Sequence, residues 1–106
     1  MQGHILAHFI KENEGHKLPV FPFLCLTVSG GHTQLVKAND HLSFNILGST
    51  IDDAVGEAFD KAAKILGLPY PGGPLIDKFA KDGDPNKFKF SSSNVPGFDY
   101  SFSGIK

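Results

Sequence analysis

The stretch Ser29-Gly30-Gly31-His32 interrupts two runs of strand-forming residues in "LTVSGGHTQLV". Glycines can adopt positive φ and carry no side chain, so successive backbone N–H groups can converge on an anion there. The hydroxyls of Ser29 and Thr33 can add donors, and the pattern is then typical of a phosphate or acyl-phosphate cradle. The same residues also suit a tight β-hairpin. Spacing alone favours that simpler interpretation, in which His32 is a surface turn residue.

A second glycine pair lies in "YPGGP", just before a predicted helix. Gly72 and Gly73 would let a ligand approach the first amides of this helix, whose dipole favours a negative or hydroxyl-rich group. Asp77, one turn further, can accept hydrogen bonds from sugar hydroxyls. An acidic residue in a first turn also complements the helix dipole, and a rigid proline-glycine connection explains the same letters.

Two further pairs of polar residues are candidates for chemistry. Glu57 and Asp60 lie on a predicted long helix, each with a lysine four residues further along, which is typical of a solvated face. Asp60 becomes a ligand contact only if a ligand lies over that face. His4 and His8 are spaced i, i+4 and form half of a possible metal site. Without a third ligand, such a pair is more often an ordinary part of a helix.

Composition bounds the class of protein. The 106 residues are 41% hydrophobic and 20% charged, which is typical of one globular domain. Ten basic and eleven acidic residues give a net charge of −1, which excludes a chain-wide basic field, so a nucleic acid would be engaged locally. The single cysteine, Cys25, allows no intrachain disulfide and is predicted to be buried in a strand. The sequence shows no signal peptide or membrane span, so we expect a cytoplasmic protein without a membrane partner.

The elements that must position these residues alternate between helix and strand patterns. Residues 3–12 predict an amphipathic helix that begins before residue 1. Residues 23–28, residues 33–37 and a third run through Leu42, Phe44 and Ile46 predict an antiparallel three-stranded meander with one face covered. The fold class is therefore α/β, or α+β within these residues.

A long amphipathic helix in "STIDDAVGEAFDKAAKILGLP" is predicted to cover that sheet. Ser49 or Thr50 is predicted to cap its start, Asp52 and Asp53 to complement its dipole, and Gly67 to end it. Its predicted apolar face consists of Val55, Ala58, Phe59, Ala62, Ile65 and Leu66.

A shorter helix is predicted from Pro74 to Gly83 and is followed by a turn-rich, aromatic tail. The tail would expose Phe98, Tyr100 and Phe102. Because it stops without a terminating signal, we expect an internal fragment of a longer protein.

Four stretches occur here in one order: "GHILA", "FPFLCLTVSGGHTQLV", "LGSTIDDAVGEAFDKAAKILGLPYPGGP" and "PGFDYSFSGIK". Together they resemble the TsaD family of tRNA threonylcarbamoyladenosine synthesis proteins, formerly described as O-sialoglycoprotein endopeptidases or glycoproteases. The resemblance covers nearly the whole chain and implies part of an actin-like, hexokinase-like two-lobed ATPase fold. It implies that residues 1–18 end a preceding helix and carry part of a metal motif. Residues 19–106 would then form a partial lobe with a phosphate loop and nucleoside-contact helices.

The resemblance also implies a reaction. Family members transfer a threonylcarbamoyl group from threonylcarbamoyl-AMP to N6 of the adenosine that follows the tRNA anticodon. Acyl transfer from a mixed anhydride requires stabilisation of an oxyanion by a metal and by backbone donors. The implied partners are threonylcarbamoyl-AMP or ATP, tRNA, and TsaB-like and TsaE-like proteins. We expect this chain to be inactive when it is alone.

Site residues carry over from the family motifs one by one. Asp60 and Gly73 resemble the nucleoside contacts, and Asp77 resembles a further acidic contact of some members. The resemblance assigns the phosphate site to Thr27, Val28, Ser29, Gly30 and Gly31.

The metal motif of the family is written H-x-x-x-H, and "MQGH" matches its last four letters. His4 therefore resembles the second ligand, whereas the first ligand would precede Met1 and a third, an aspartate, would lie far downstream. His8 falls where the family does not need a ligand. With one ligand of a divalent metal, iron or zinc, we expect the chain alone to bind little metal.

Three alternatives stay open at this point. A hydrogenase-maturation-type carbamoyltransferase shares the metal and phosphate chemistry, although "YPGGP" and "FDYSFSG" favour the tRNA enzyme. A non-catalytic dimerisation module of the same superfamily would lack the metal histidines. The older peptidase description requires a general base beside the metal pair, as in H-E-x-x-H, and no such spacing occurs here.

Overall fold

A computed structural model describes all residues from 1 to 106. The elements, in chain order, are α1 (Gln2–Leu6), a 3-10 turn (Ala7–Phe9), β1 (Phe23–Val28), β2 (Thr33–Ala38), β3 (Phe44–Ser49), α2 (Val55–Ile65), α3 (Gly72–Ala80) and a second 3-10 turn (Ser103–Ile105). The predicted α+β class is confirmed. No helix is both long and apolar enough to cross a membrane.

The three strands form one antiparallel sheet in the order β1-β2-β3, which confirms the predicted meander. Residues 29–32 join β1 to β2. The β2–β3 register shifts at Leu35 and Val36, whose partners are Gly48 and Ile46, so one residue of β3 is left unpaired as in a β-bulge. The bulge limits the alternation that was predicted through this strand, and Ile46 is 59% exposed.

The core of the sheet is small. It consists of Ile5, Val36 and Ala38, all inaccessible to solvent, with Phe21, Phe23, Cys25 and Phe44 packed around them. Helix α1 therefore covers the sheet, whereas the sequence pattern predicted that role for α2. Helix α2 instead packs against α3 and meets the sheet at the end of the β1–β2 hairpin. Periodicity identifies an apolar face, but it does not identify the partner of that face.

Helix α1 is shorter than the predicted helix over 3–12. Regular helix ends at Leu6, a 3-10 turn continues to Phe9, and Ile10 is extended with φ −74° and ψ 117°. The Phe9 ring stacks on Phe21 with centroids 5.0 Å apart and lies 5.0 Å from His41. This aromatic packing takes precedence over the helical preference of the local sequence.

Helix α2 begins at Val55 after Ala54, so the predicted caps Ser49 and Thr50 are wrong. Ser49 belongs to β3, and Thr50 Oγ1 donates to a backbone carbonyl of the connection before α2. The cap comes from outside the helix, because Thr33 Oγ1 accepts a hydrogen bond of 2.9 Å from Val55 N.

The close packing of α2 on α3 depends on two small residues. A Cβ built at Gly72 would lie 2.1 Å from the Cβ of Ala63, which is buried. Helix α2 ends as predicted, with Gly67 at φ +75° just beyond it. Helix α3 spans Gly72–Ala80 and so starts before the predicted Pro74.

Asp52 was predicted to complement the α2 dipole, but it holds the C-terminal segment instead. Its carboxylate accepts hydrogen bonds from Ser101 Oγ at 2.6 Å, Phe102 N at 2.9 Å and Ser103 N at 3.3 Å. These bonds, that of Ser101 first, lower the pKa of Asp52 to about 2. Residues 101–103 are thereby anchored to the loop that precedes α2.

Asp53 makes the second attachment of the same segment. It pairs with Lys106 at 2.6 Å and with Lys61 at 2.8 Å, and its pKa is lowered by these two ammonium groups, that of Lys106 first. The rings of Tyr100 and Phe102 are half-buried and stacked, with centroids 6.0 Å apart. Of the three aromatic residues predicted to be exposed in the tail, Phe98 is exposed, at 63%.

Candidate nucleotide-binding groove

The hairpin tip is a closed turn built around Ser29. Its Oγ accepts hydrogen bonds from Gly31 N at 3.2 Å and His32 N at 2.9 Å, and its N–H donates to the His32 carbonyl at 2.8 Å. Two of the amides that were predicted to face an anion are therefore bonded within the turn. Gly30 N–H donates to no group of the chain.

The two glycines of the tip are not explained by backbone conformation. Positive φ occurs at Gly67 and Gly97 and not at Gly30 or Gly31, so the tip does not use the positive φ that glycine permits. A Cβ built at either tip glycine would meet no atom within 4 Å. The fold thus tolerates a side chain at both positions. Glycine at these positions leaves the backbone accessible from the open space beside it.

Helix α2 holds the tip in place. Gly56 N donates to the Ser29 carbonyl at 3.2 Å, and a Cβ at Gly56 would lie 2.8 Å from Ser29 O and from Gly30 N. Thr33 is buried and caps the same end of α2 through its hydroxyl. This contact was not predicted from the sequence, although a glycine inside a helical pattern costs helix stability and so suggests a packing reason.

Asp60 joins α2 to α3. Its Oδ1 accepts hydrogen bonds from Gly72 N at 2.8 Å and Gly73 N at 3.3 Å, so it caps α3 across the helix pair. The structure thereby brings together Asp60 and Gly73. A Cβ at Gly73 would lie 3.6 Å from the Phe59 Cβ, an ordinary contact, so packing does not require glycine there. Asp77 is exposed and lies four residues beyond Gly73, on the same face of α3.

A groove of about 550 Å³ runs from the tip along α2. Its lining residues are Gly30, Glu57, Asp60, Lys61, Lys64, Leu68 and Tyr70. Two residues from separate motifs, Gly30 and Asp60, thus face one space, which we call the nucleotide groove. Lys61 pairs with Asp53 and, at 3.0 Å, with Glu57, and these hydrogen bonds raise its pKa. Lys64 forms no ion pair, so its charge is available to a ligand.

A second cavity, of about 340 Å³, lies on the other side of the β1 end. It is lined by His4, His8, Cys25, Leu26, Thr27, Val28 and Ser29. The proposed metal ligand His4 and the proposed phosphate-loop residues of β1 therefore share a space. Cys25, predicted to be buried, is half-buried. Asp77 lines neither of the two cavities.

The residues present do not complete a metal site. No group of three or more histidine, cysteine, aspartate or glutamate side chains is placed to hold an ion. His4 is exposed on α1. Since a structural or catalytic zinc site needs at least three protein ligands, His4 by itself supplies too few donors to hold an ion firmly.

Comparison with known proteins identifies the family. A sequence model described as TsaD, tRNA N6-adenosine threonylcarbamoyltransferase, matches residues 1–106. Proteins of that name from Christiangramia forsetii and Cytophaga hutchinsonii are 65% and 61% identical to the chain over 106 residues. The protein of that name from Phocaeicola vulgatus is 54% identical over 107 residues.

All of this chain is matched in each case, but only 31%, 30% and 32% of the three relatives, respectively. The chain therefore spans about a third of the length of the proteins it resembles. The match selects the tRNA-modifying family among the alternatives that the sequence left open. The chain belongs to the TsaD family of tRNA N6-adenosine threonylcarbamoyltransferases.

Proposed function

We propose that the chain is part of an enzyme that transfers threonylcarbamoyl from threonylcarbamoyl-AMP to N6 of the adenosine after the tRNA anticodon. Within that enzyme it contributes nucleotide contacts. The observation that carries this proposal is the nucleotide groove, in which Gly30 and Asp60 face one space although 30 residues separate them in sequence. The family match supports the same conclusion.

The tip contacts the phosphate or acyl-phosphate part of the ligand. Gly30 N–H is unpaired within the chain and is free to donate to a phosphate oxygen. The open space at Gly30 and Gly31 lets such an oxygen approach the backbone. The resemblance also assigns Thr27, Val28 and Ser29 to the phosphate site; these residues line the cavity on the other side of the β1 end and precede Gly30 directly in the chain.

Asp60 contacts the ribose. Its Oδ1 is occupied by the α3 amides, whereas its Oδ2 forms no bond within the chain and can accept hydrogen bonds from sugar hydroxyls. Capping α3 holds the carboxylate in one orientation, which lowers the entropy lost on binding. The resemblance assigns further nucleoside contacts to Gly73 and Asp77, which share one face of α3 next to Asp60 and do not themselves line the groove.

The transfer itself forms a bond between N6 of the adenosine and the carbamoyl carbon, breaks the bond from that carbon to the phosphate oxygen of AMP, which leaves as AMP, and releases one N6 proton to solvent. Charge develops on the carbonyl oxygen, which a backbone donor near the phosphate can stabilise. The resemblance assigns His4 to a divalent metal, iron or zinc, in the complete enzyme. Transfer RNA and the TsaB-like and TsaE-like proteins are partners of that enzyme, which works in the cytoplasm.

Isotope-edited NMR of the chain during titration with AMP tests this proposal. The amides of Gly30, Gly31 and Gly73 are expected to shift together and to saturate. Asp60→Asn keeps an oxygen for the α3 amides but removes the charge, and it is expected to weaken AMP binding about tenfold, as loss of one charge-assisted hydrogen bond does. Asp82→Asn, an exposed change on the loop after α3, is the matched control.

The same pair of variants in the full-length parent enzyme tests the reaction. Asp60→Asn is expected to lower the rate of threonylcarbamoyl transfer to tRNA, and Asp82→Asn is not. The groove is not the nucleotide site if the Asp60→Asn variant transfers threonylcarbamoyl at an unchanged rate and AMP shifts none of the amide signals of Gly30, Gly31 and Gly73.

A further inference from the structure

Tyr70 lies at one end of the nucleotide groove and no contact within the chain explains its position. It is 85% exposed, its hydroxyl forms no hydrogen bond, and its ring stacks on no other aromatic ring of the chain. Leu68 is half-buried beside it and lines the same end of the groove. A tyrosine ring without a partner on the wall of a groove offers a flat apolar surface to a ligand.

The groove has a chemical order along α2. The unpaired amide of Gly30 lies next to Gly56, in the first turn of α2, whereas Leu68 and Tyr70 follow the end of that helix. Eleven helical residues span roughly 16 Å. Asp60 projects from the middle of the helix. A hydrogen-bond donor, a carboxylate acceptor and an aromatic surface thus follow one another.

This order matches the order of groups in a 5′-nucleotide. A phosphate needs donors, a ribose offers hydroxyls to a carboxylate, and a base stacks on an aromatic ring. Lys64, in the last turn of α2, adds a positive charge on the same wall that attracts an anionic ligand in either orientation. In the reverse orientation the phosphate would lie against the Leu68 side chain and the Tyr70 ring, and the base would meet no aromatic ring at the Gly30 end of the groove.

We propose that Tyr70 is the base-stacking residue of the nucleotide groove. The base lies on the Tyr70 ring and against Leu68, the ribose lies over Asp60, and the phosphate points to Gly30. This inference rests on the proposed nucleotide site and adds to it the residue that contacts the base. Because every base has a π face, stacking on Tyr70 favours the presence of a base without selecting its identity.

The chain offers a direct optical test, because it contains two tyrosines and no tryptophan. In a Tyr100→Phe variant, Tyr70 is the sole source of tyrosine emission. Titration of this variant with AMP is expected to quench the emission with a saturating curve. Ribose 5-phosphate, which has the same sugar and phosphate but no base, is expected to bind without that quenching.

Calorimetric titration of Tyr70 variants provides the second measurement. Tyr70→Phe is expected to keep AMP affinity, whereas Tyr70→Ala is expected to lose roughly tenfold, the effect of removing one stacking ring. The affinity for ribose 5-phosphate is expected to be equal in all of them. Tyr70→Leu keeps apolar bulk without a flat ring and controls for local unfolding, as does a comparison of circular dichroism spectra.

The outcomes separate this inference from the proposed function. If AMP binds to the groove with equal affinity before and after removal of the ring, and without quenching, Tyr70 does not stack on the base although the nucleotide site stands. If neither AMP nor ribose 5-phosphate binds to the chain or to the full-length enzyme through the groove, the nucleotide site itself is refuted, and this inference falls with it.

Discussion

The adjacent glycines Gly72 and Gly73 are expected to respond in opposite ways to the same substitution. Both lie in the first turn of α3, and both donate their amides to Asp60. At residue 72 a new Cβ would lie 2.1 Å from Ala63 Cβ, whereas at residue 73 it would lie 3.6 Å from Phe59 Cβ. Gly72→Ala is therefore a packing change, whereas Gly73→Ala adds a methyl group that the packing of α2 on α3 tolerates.

The magnitudes follow from these distances. Carbon atoms in contact prefer roughly 3.5–4.0 Å, so Gly72→Ala must separate α2 from α3 by roughly 1.5 Å. Such overpacking costs about 1–3 kcal/mol, and the higher helix propensity of alanine offsets up to ~1 kcal/mol of it. We expect a net loss of ~1–2 kcal/mol, or a melting temperature lower by ~5–15 °C. Gly73→Ala is expected to leave stability unchanged or to raise it by up to ~1 kcal/mol.

Thermal unfolding monitored by circular dichroism measures both variants, and AMP titration measures their binding. Gly73→Ala is expected to stay folded and, under the proposed nucleoside contact of Gly73, to bind AMP more weakly. A double variant Gly72→Ala with Ala63→Gly removes the clash and is expected to show a coupling free energy of ~1–2 kcal/mol. Equal stability of the two single variants would refute the reasoning, and so would a lack of coupling.

Two further predictions concern the C-terminal segment and the metal. Since the folded-state pKa of Asp52 is about 2, below its ordinary value of 3.8, its stabilisation of residues 101–103 is complete above about pH 4 and is lost as the pH falls toward 2. The NMR amide signals of Phe102 and Ser103 are expected to report this loss. The Asp52→Ala variant is expected to release the segment already at neutral pH. If the segment stays ordered in this variant, Asp52 is not what holds it. Calorimetric titration of the chain with iron(II) or zinc is expected to show no stoichiometric site of submicromolar affinity. If such a site appears and is lost in the His4→Ala variant, the chain binds the metal without the rest of the enzyme, and the prediction is wrong.

Local sequence patterns predicted the strands and helices well, because these elements depend on residues that are neighbours in the chain. Runs of strand-forming residues on either side of the Ser29–His32 turn located β1 and β2, and the helical stripe with Gly67 located α2 and its end. The order of the motifs was sufficient to identify the family. These features depend on side-chain periodicity and on backbone preferences, both of which can be read from a short window of sequence.

The connections between elements could not be read in this way. The i, i+4 spacing of Asp60 and Lys64 predicted a solvent-exposed carboxylate, yet Asp60 caps a helix that begins 12 residues later. Asp52 was assigned to the nearest helix, but it binds residues 49 to 51 positions away. Thr33 caps α2 from a strand 22 residues earlier. Each of these polar groups had a plausible local partner, and only the folded backbone determines which donor is near enough to be bound.

The sequence by itself determined that two glycine motifs and an acidic helix belong to one family of proteins, and which residues of those motifs to test. The tertiary structure decided that Gly30, Asp60 and Tyr70 face one groove. It also separated the glycines that packing requires, Gly56 and Gly72, from those that it does not, Gly30, Gly31 and Gly73. The physical reason is that all of them look alike in sequence, whereas the space around a missing Cβ is a property of the neighbouring elements.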